Sequence, residues 1–282
     1  MSKTTNLYFD ELQSLKTMVW PAIKTFTRGK SLPEGGINIS ANFHNVLIEP
    51  KQLHAYRNYF GFRSELPITY LYLLTQRAQA TIMLTEAYSI SMPGTVHLST
   101  NLAFLNEINP NKSLAIESSL SVPYKQKGSL IPEFLISFFQ GDELVAKGNG
   151  NYFVKRKSAG PKQKKEALKV IENPDFELDW YLDKNVAKDY AEISNDHNPI
   201  HKGIIAAKLL GLKSQIAHGW YVASRCAQHV EQQKRRQIGA FGIDFKGMHT
   251  LPGNYIFKLN KNHFQTLNNA GDKVLSKGSF NF

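Results

Sequence analysis

An eight-residue pattern recurs in this 282-residue chain at an offset of 130 residues: Gly141-Asp142-Glu143-Leu144-Val145-Ala146-Lys147-Gly148 and Gly271-Asp272-Lys273-Val274-Leu275-Ser276-Lys277-Gly278. Each octet reads as a Gly-Asp hairpin turn leading into a strand, and each runs into an aromatic-rich end, NGNYFVKR or SFNF. Upstream of each octet lies a helical stretch and then alternating strands. In the first half these are PITYLYLLTQRAQATIML, then TVHLSTNLAFL, LAIESSLSV and EFLISFFQ; in the second, WYVASRCAQHVEQQKRR, then IGAFGIDF and NYIFKLNKNHF. A repeat of this length restricts the chain to two like units. The first helix is apolar around most of its girth, through Tyr70, Leu71, Leu73, Leu74, Ala78, Ile82 and Leu84, so it is expected to be enclosed. The expected class is α+β, with two antiparallel sheets each wrapped around a central helix.

Charge marks the joint. The net charge is +11, and the 15 residues from Lys155 to Lys169 supply +6 of it. That segment, KRKSAGPKQKKEALK, contains Gly160-Pro161 and reads as a solvated basic linker. The expected organisation is a unit over 1–154, a linker over 155–172 and a second unit over 173–282. Within the linker, Lys162, Lys164 and Lys165 are candidates for drawing in an anionic ligand. No aromatics are interleaved with these lysines, so nucleic acid is not an expected partner.

Other classes are excluded by simpler counts. One cysteine, Cys226, permits neither an internal disulfide framework nor a cysteine-built metal site, and it is expected to be core packing. The opening MSKTTNLYFDELQSLK has no apolar run of a secretory signal, and no stretch approaches the ~18 apolar residues of a membrane span. The expected location is cytoplasmic.

The chemistry is concentrated in 190–220, YAEISNDHNPIHKGIIAAKLLGLKSQIAHGW. Val186, Tyr190 and Ile193 mark one face of a short helix ending near Ser194-Asn195. Asp196-His197-Asn198-Pro199 then forms a turn, because Asp and Asn bond their own backbone and Pro199 cannot continue the helix. The turn brings Asp196 near His201. A second helix is expected through Ile204, Ala207 and Leu210, capped by Gly211. A central helix opens at Gly219-Trp220, where free N–H groups can receive negative charge developing on an oxygen. A carboxylate, an imidazole and such a helix start form a proton-transfer set, suited to adding or removing water beside a thioester carbonyl.

The run S-N-D-H-N-P-I-H, followed after a helix by I-A-H-G, resembles the hydratase motif of the MaoC-like (R)-specific enoyl-CoA hydratases and dehydratases. The motif covers about 30 residues, and the two-unit layout extends the resemblance to a double hot-dog fold. The resemblance implies that Asp196 and His201 are the catalytic pair holding water, and that the Gly219 amide polarises the thioester carbonyl. Ser194 and Asn198 are then supporting motif positions. His218 fixes the turn before Gly219, and Trp220, beside the oxyanion position, contacts substrate. The sequence departs from the family pattern at Asn195, where glycine is usual, at Gly203, where an acid is common, and at Trp220, where methionine is frequent. The implied activity is reversible hydration of trans-2-enoyl thioesters to (3R)-hydroxyacyl thioesters in fatty-acid metabolism. Its substrates are carried by CoA or acyl carrier protein, and neither a metal nor a redox cofactor is called for. A homodimer is compatible with such a unit. An acyl thioesterase and a non-catalytic acyl-binding protein are the alternatives.

Two further readings sharpen the site. Asp244 and His249 repeat the five-residue spacing of Asp196 and His201 but lack the Asn-Pro turn and a glycine-opened helix, so they are assigned to structure. His197 and Asn195 are expected to be exposed turn residues.

Overall fold

In the computed structural model, residues 4–29, 31–124, 128–156, 168–203, 208 and 213–282 are described. In chain order these form β1 (Thr5–Phe9), α1 (Leu15–Lys24), β2 (Ile37–Val46), α2 (Pro50–Phe60), α3 (Leu71–Leu84), β3 (Thr95–Phe104), β4 (Leu114–Val122), β5 (Glu133–Gln140) and β6 (Glu143–Val154). There follow β7 (Phe176–Leu182), α4 (Val186–Ser194), α5 (Pro199–Lys202), α6 (Gly219–Lys234), β8 (Ala240–Phe245), β9 (Gly253–Asn260), β10 (His263–Asn268) and β11 (Val274–Asn281). Two compact units result: Met1–Pro50 with Leu71–Gln163, and Lys51–Tyr70 with Lys164–Phe282. Each is a hot-dog unit, a curled sheet and its central helix.

In the first unit the strands run in the order β1-β2-β4-β5-β6-β3, antiparallel except for the β1–β2 pair. The alternating burial of β4, from Leu114 through Ile116, Ser118 and Leu120 to Val122, turns one face of the sheet inward onto α3. As its sequence requires, α3 is buried nearly all round, including Thr75, Gln79 and Thr81. The buried Thr75 hydroxyl donates to the Leu71 carbonyl, and Gln79 Oε1 accepts from the Tyr152 hydroxyl. Satisfying those groups is what lets a polar residue sit inside the roll.

The second unit has the strand order β8-β11-β10-β9-β7, all antiparallel, with α6 as its central helix. The sequence echo now has a physical meaning. Gly141 and Gly271 occupy the β5–β6 and β10–β11 turns with φ of +63° and +73°, a region glycine enters without cost. At the other end of each octet, a Cβ on Gly148 would collide with the Asn101 carbonyl, and one on Gly278 with the Gly242 carbonyl. Each octet therefore begins at a tight turn and ends where two backbones come too close for a side chain.

The excursion of Lys51–Tyr70 into the second unit has no counterpart in the charge pattern. Its reason lies in aromatic and hydroxyl contacts. The buried Tyr56 ring packs on Phe60, Phe62 and Tyr70, and its hydroxyl sits between Thr69 Oγ1 at 2.9 Å and Ser224 Oγ on α6 at 2.6 Å. Ser64 donates to Glu231 on the same helix, and Trp220 Nε1 donates to the Thr69 carbonyl at 2.8 Å. Gln52 donates to the Ile193 carbonyl at the end of α4. Among the described residues, no helix is long and apolar enough to cross a membrane. Tyr56→Phe removes a hydroxyl that bridges two buried partners and should lower unfolding free energy by about 1–3 kcal/mol, measured by urea denaturation.

Candidate active site

The site grows from the end of α4. Asn195 takes the left-handed conformation, φ 60° and ψ 14°, at the helix C-cap. Asparagine tolerates that region better than most side chains, so it can stand where the family pattern has glycine. Ser194, buried, donates from Oγ to the Tyr190 carbonyl at 2.8 Å and accepts the Asp196 N–H at 3.1 Å. Asp196 Oδ1 accepts the Asn198 N–H at 3.2 Å, and Asn198 Oδ1 accepts the Ile200 N–H at 3.3 Å as N-cap of α5, with Pro199 in its first turn. This relay of short polar side chains folds the turn and carries His201 back toward Asp196.

Both imidazoles of the site are held by backbone carbonyls. His201 Nδ1 lies 2.9 Å from the Ile216 carbonyl and His218 Nε2 lies 3.0 Å from the Asp196 carbonyl. A carbonyl only accepts, so each of those nitrogens carries the proton. His201 thus keeps Nε2 as its basic atom. The two rings stack with centroids 3.7 Å apart and planes inclined by 28°. Burial pushes the pKa of His201 below the ordinary histidine value, with the Asp196 charge opposing the shift. His218 is pushed down by burial first and by its stacked neighbour second, again against Asp196. Two imidazolium ions could not share this stack, and both shifts favour the neutral rings.

The segment before α6 is pinned from the other side. Ile216 bridges Thr250, Ala217 N–H donates to the His249 carbonyl at 2.9 Å, and Gln215 Nε2 donates to the His201 carbonyl at 2.8 Å. His218 is the N-cap of α6, and its carbonyl accepts the Val222 N–H. The amides of Gly219, Trp220 and Tyr221 precede that first helical bond. Gly219 alone of the three is part exposed, and a Cβ there would stand 3.2 Å from the Phe245 ring. The helix start therefore sets the part-exposed Gly219 at the positive end of α6.

Several residues fall elsewhere than the sequence suggests. Trp220 is buried, its indole N–H given to the Thr69 carbonyl and its ring against Phe241. His197 is buried rather than exposed, and Asn195 is half-buried. Lys162, Lys164 and Lys165 lie outside the described residues, as do Ile204, Ala207, Leu210 and Gly211 of the expected second helix. Of the second pair at that spacing, Asp244 pairs with Lys246 at 3.1 Å, while buried His249 bonds Thr266 Oγ1 at 3.0 Å. Cys226 is buried, and burial raises its pKa. Among the described residues no group of three His, Cys, Asp or Glu side chains is arranged to hold a metal. Sequence reading missed the ring stack, the 5.1 Å approach of the buried Tyr190 ring to His218, and Phe245. Nothing in the spacing announces them.

Curled sheet and central helix define the hot-dog fold, and the second unit adds the carboxylate–imidazole turn to it. Residues 166–251 match the family described as MaoC like domain. It is 22% identical over 228 residues to 3-hydroxyacyl-thioester dehydratase X of Mycobacterium tuberculosis, covering 78% of each chain. The crystal structure of that species' HtdX superposes with a TM-score of 0.70 at 18% identity, over 86% of this chain and 98% of the other. A MaoC-like dehydratase from Phytophthora capsici superposes with a TM-score of 0.59 at 16% identity, over 86% and 95%.

The buried histidines set a pH dependence. Below pH ~6.5 an unfolded histidine binds a proton that the native, buried ring refuses until lower pH, so the unfolded state binds more protons and stability falls with pH. Besides His201 and His218, burial holds His249 down to about 3 and His97 and His229 to about 4. Unfolding free energy, followed by urea denaturation, should drop steadily as pH falls from about 6.5 to 5. In His218→Gln, which keeps a donor toward the Asp196 carbonyl, the slope should lessen by up to about 1.4 kcal/mol per pH unit. An unchanged slope would show that His218 titrates normally.

Proposed function

We propose that the protein is a hydro-lyase that interconverts trans-2-enoyl and (3R)-hydroxyacyl thioesters carried by CoA or acyl carrier protein. The observation that carries this reading is His201, held through Nδ1 on the Ile216 carbonyl so that Nε2 is its basic atom, beside Asp196 and on the same unit as the Gly219 helix start. The dehydratase named among its relatives acts on 3-hydroxyacyl thioesters, in keeping with that geometry.

In the hydration direction, a water held by Asp196 and His201 loses a proton to His201 Nε2 as its oxygen bonds to the β-carbon. The double-bond electrons move toward the thioester carbonyl, whose oxygen becomes an enolate and accepts the Gly219 N–H. Asp196 stabilises the imidazolium, and the proton is then delivered to the α-carbon, so that water has been added with no net gain or loss of charge. Dehydration is the reverse. The steps are proton transfers and ask for no metal or redox group. Ser194 and Asn198 fix the backbone that presents Asp196, and His218 holds the Asp196 carbonyl while buttressing the His201 ring. Lys162, Lys164 and Lys165 would draw in the anionic carrier from a distance.

The test is an absorbance assay of crotonyl-CoA and longer enoyl thioesters with the purified chain, together with chiral analysis of the hydroxyacyl product. Asp196→Asn and His201→Ala should each lower hydration about 100-fold or more while the circular dichroism spectrum stays native. Near-full turnover by either variant would overturn the assignment. Release of free thiol without hydration would indicate a thioesterase, and binding without turnover an acyl-binding protein.

A further inference from the structure

Helix α1 presents an unusual outward face. Its inner side buries Leu15 and Met18, while Trp20 is 65% exposed, Ile23 is also exposed and Phe26, just past the helix, is 60% exposed. Lys16 and Lys24 stand one turn before and after Trp20 on the same arc, and Lys24 Nζ lies 6.0 Å from the centre of the indole. From Leu15 to Lys30 the sequence holds four basic residues and no acid. The base of this face is rigid. Arg28 donates to the carbonyls of Met83, Leu84 and Tyr88, and Thr25 Oγ1 accepts the Met92 N–H at 2.9 Å while donating to the Ala22 carbonyl.

We infer that this face docks the protein on an anionic lipid surface. Large apolar side chains projecting singly between lysines suit the headgroup region, where an indole or phenyl ring enters the interface and lysine stems reach back to the phosphates. A protein partner would instead be met by a shaped groove or a flat apolar patch. A second copy related by a two-fold axis would set Lys16 and Lys24 against their own equivalents, a like-charge arrangement that opposes association. The surface is distinct from the Asp196–His201 site and stands whether or not that site performs hydration.

Tryptophan emission of the full chain provides the test, because Trp180 and Trp220 are only 7% and 3% exposed and Trp20 is the solvent-facing reporter. Phosphatidylcholine vesicles containing phosphatidylglycerol should shift the emission to the blue and protect it from acrylamide quenching, whereas pure phosphatidylcholine should not. In co-sedimentation, Lys16→Gln with Lys24→Gln should weaken partitioning roughly thirtyfold at low salt, and added salt should weaken the wild type toward that level. Trp20→Ser with Phe26→Ser should abolish sedimentation with native circular dichroism retained, and the control Tyr181→Ser, on another exposed aromatic, should not. Equal binding to neutral vesicles, or no binding to either, would overturn the proposal. A concentration-dependent dimer lost in the Trp20/Phe26 variant, without vesicle binding, would assign the face to a second copy instead.

Discussion

Two imidazoles stacked 3.7 Å apart in a buried site cannot both be charged, and each keeps an N–H that needs an acceptor. The turn and the helix start supply one acceptor each, and they do so crosswise. His201, from the turn after α4, bonds the Ile216 carbonyl ahead of α6; His218, at the start of α6, bonds the Asp196 carbonyl in the turn. This exchange ties together two stretches more than ten residues apart. It fixes the tautomer of His201, the carbonyl of Asp196 and the position of Gly219 in one arrangement.

The rest of the second unit supports that exchange. Lys51–Tyr70 contributes Gln52 to the end of α4, and Tyr56 and Thr69 to the first turns of α6. His249 gives its carbonyl to Ala217 and keeps its ring in the core, so a residue whose spacing imitates a catalytic histidine serves the site through its backbone. Hydroxyls and amides in these places restrain the backbone without adding charge to a site whose protonation depends on neutrality.

The first unit shows the same fold with different polar contents. His97 is stacked between Tyr72 and Tyr152, with centroid distances of 5.4 Å and 4.8 Å, and bonds Thr100 and the Ser99 carbonyl. It occupies a hydroxyl-lined core instead of a turn built by Asp and Asn-Pro. The shared part of the two units is the hairpin frame of the echoed octets; the chemistry differs because it resides in connections, which the frame leaves free to vary.

Local grammar determined much of this protein. The turn glycines at 141 and 271, the apolar girth of α3 and the Asp-His-Asn-Pro turn follow from steric and hydrogen-bonding rules within a few residues, and were legible as such. So was the separation of Asp196–His201 from Asp244–His249, because only the former has a turn that returns the histidine. Tertiary structure decided what those rules cannot reach. That Trp220 is a core anchor depends on the Thr69 carbonyl 151 residues away. That His197 is buried depends on the packing of its turn, and that residues 51–70 complete the second unit depends on Tyr56 meeting Ser224 across 168 residues. Such contacts leave no periodicity in the sequence, since a single aromatic or hydroxyl finds its partner only after the chain has folded.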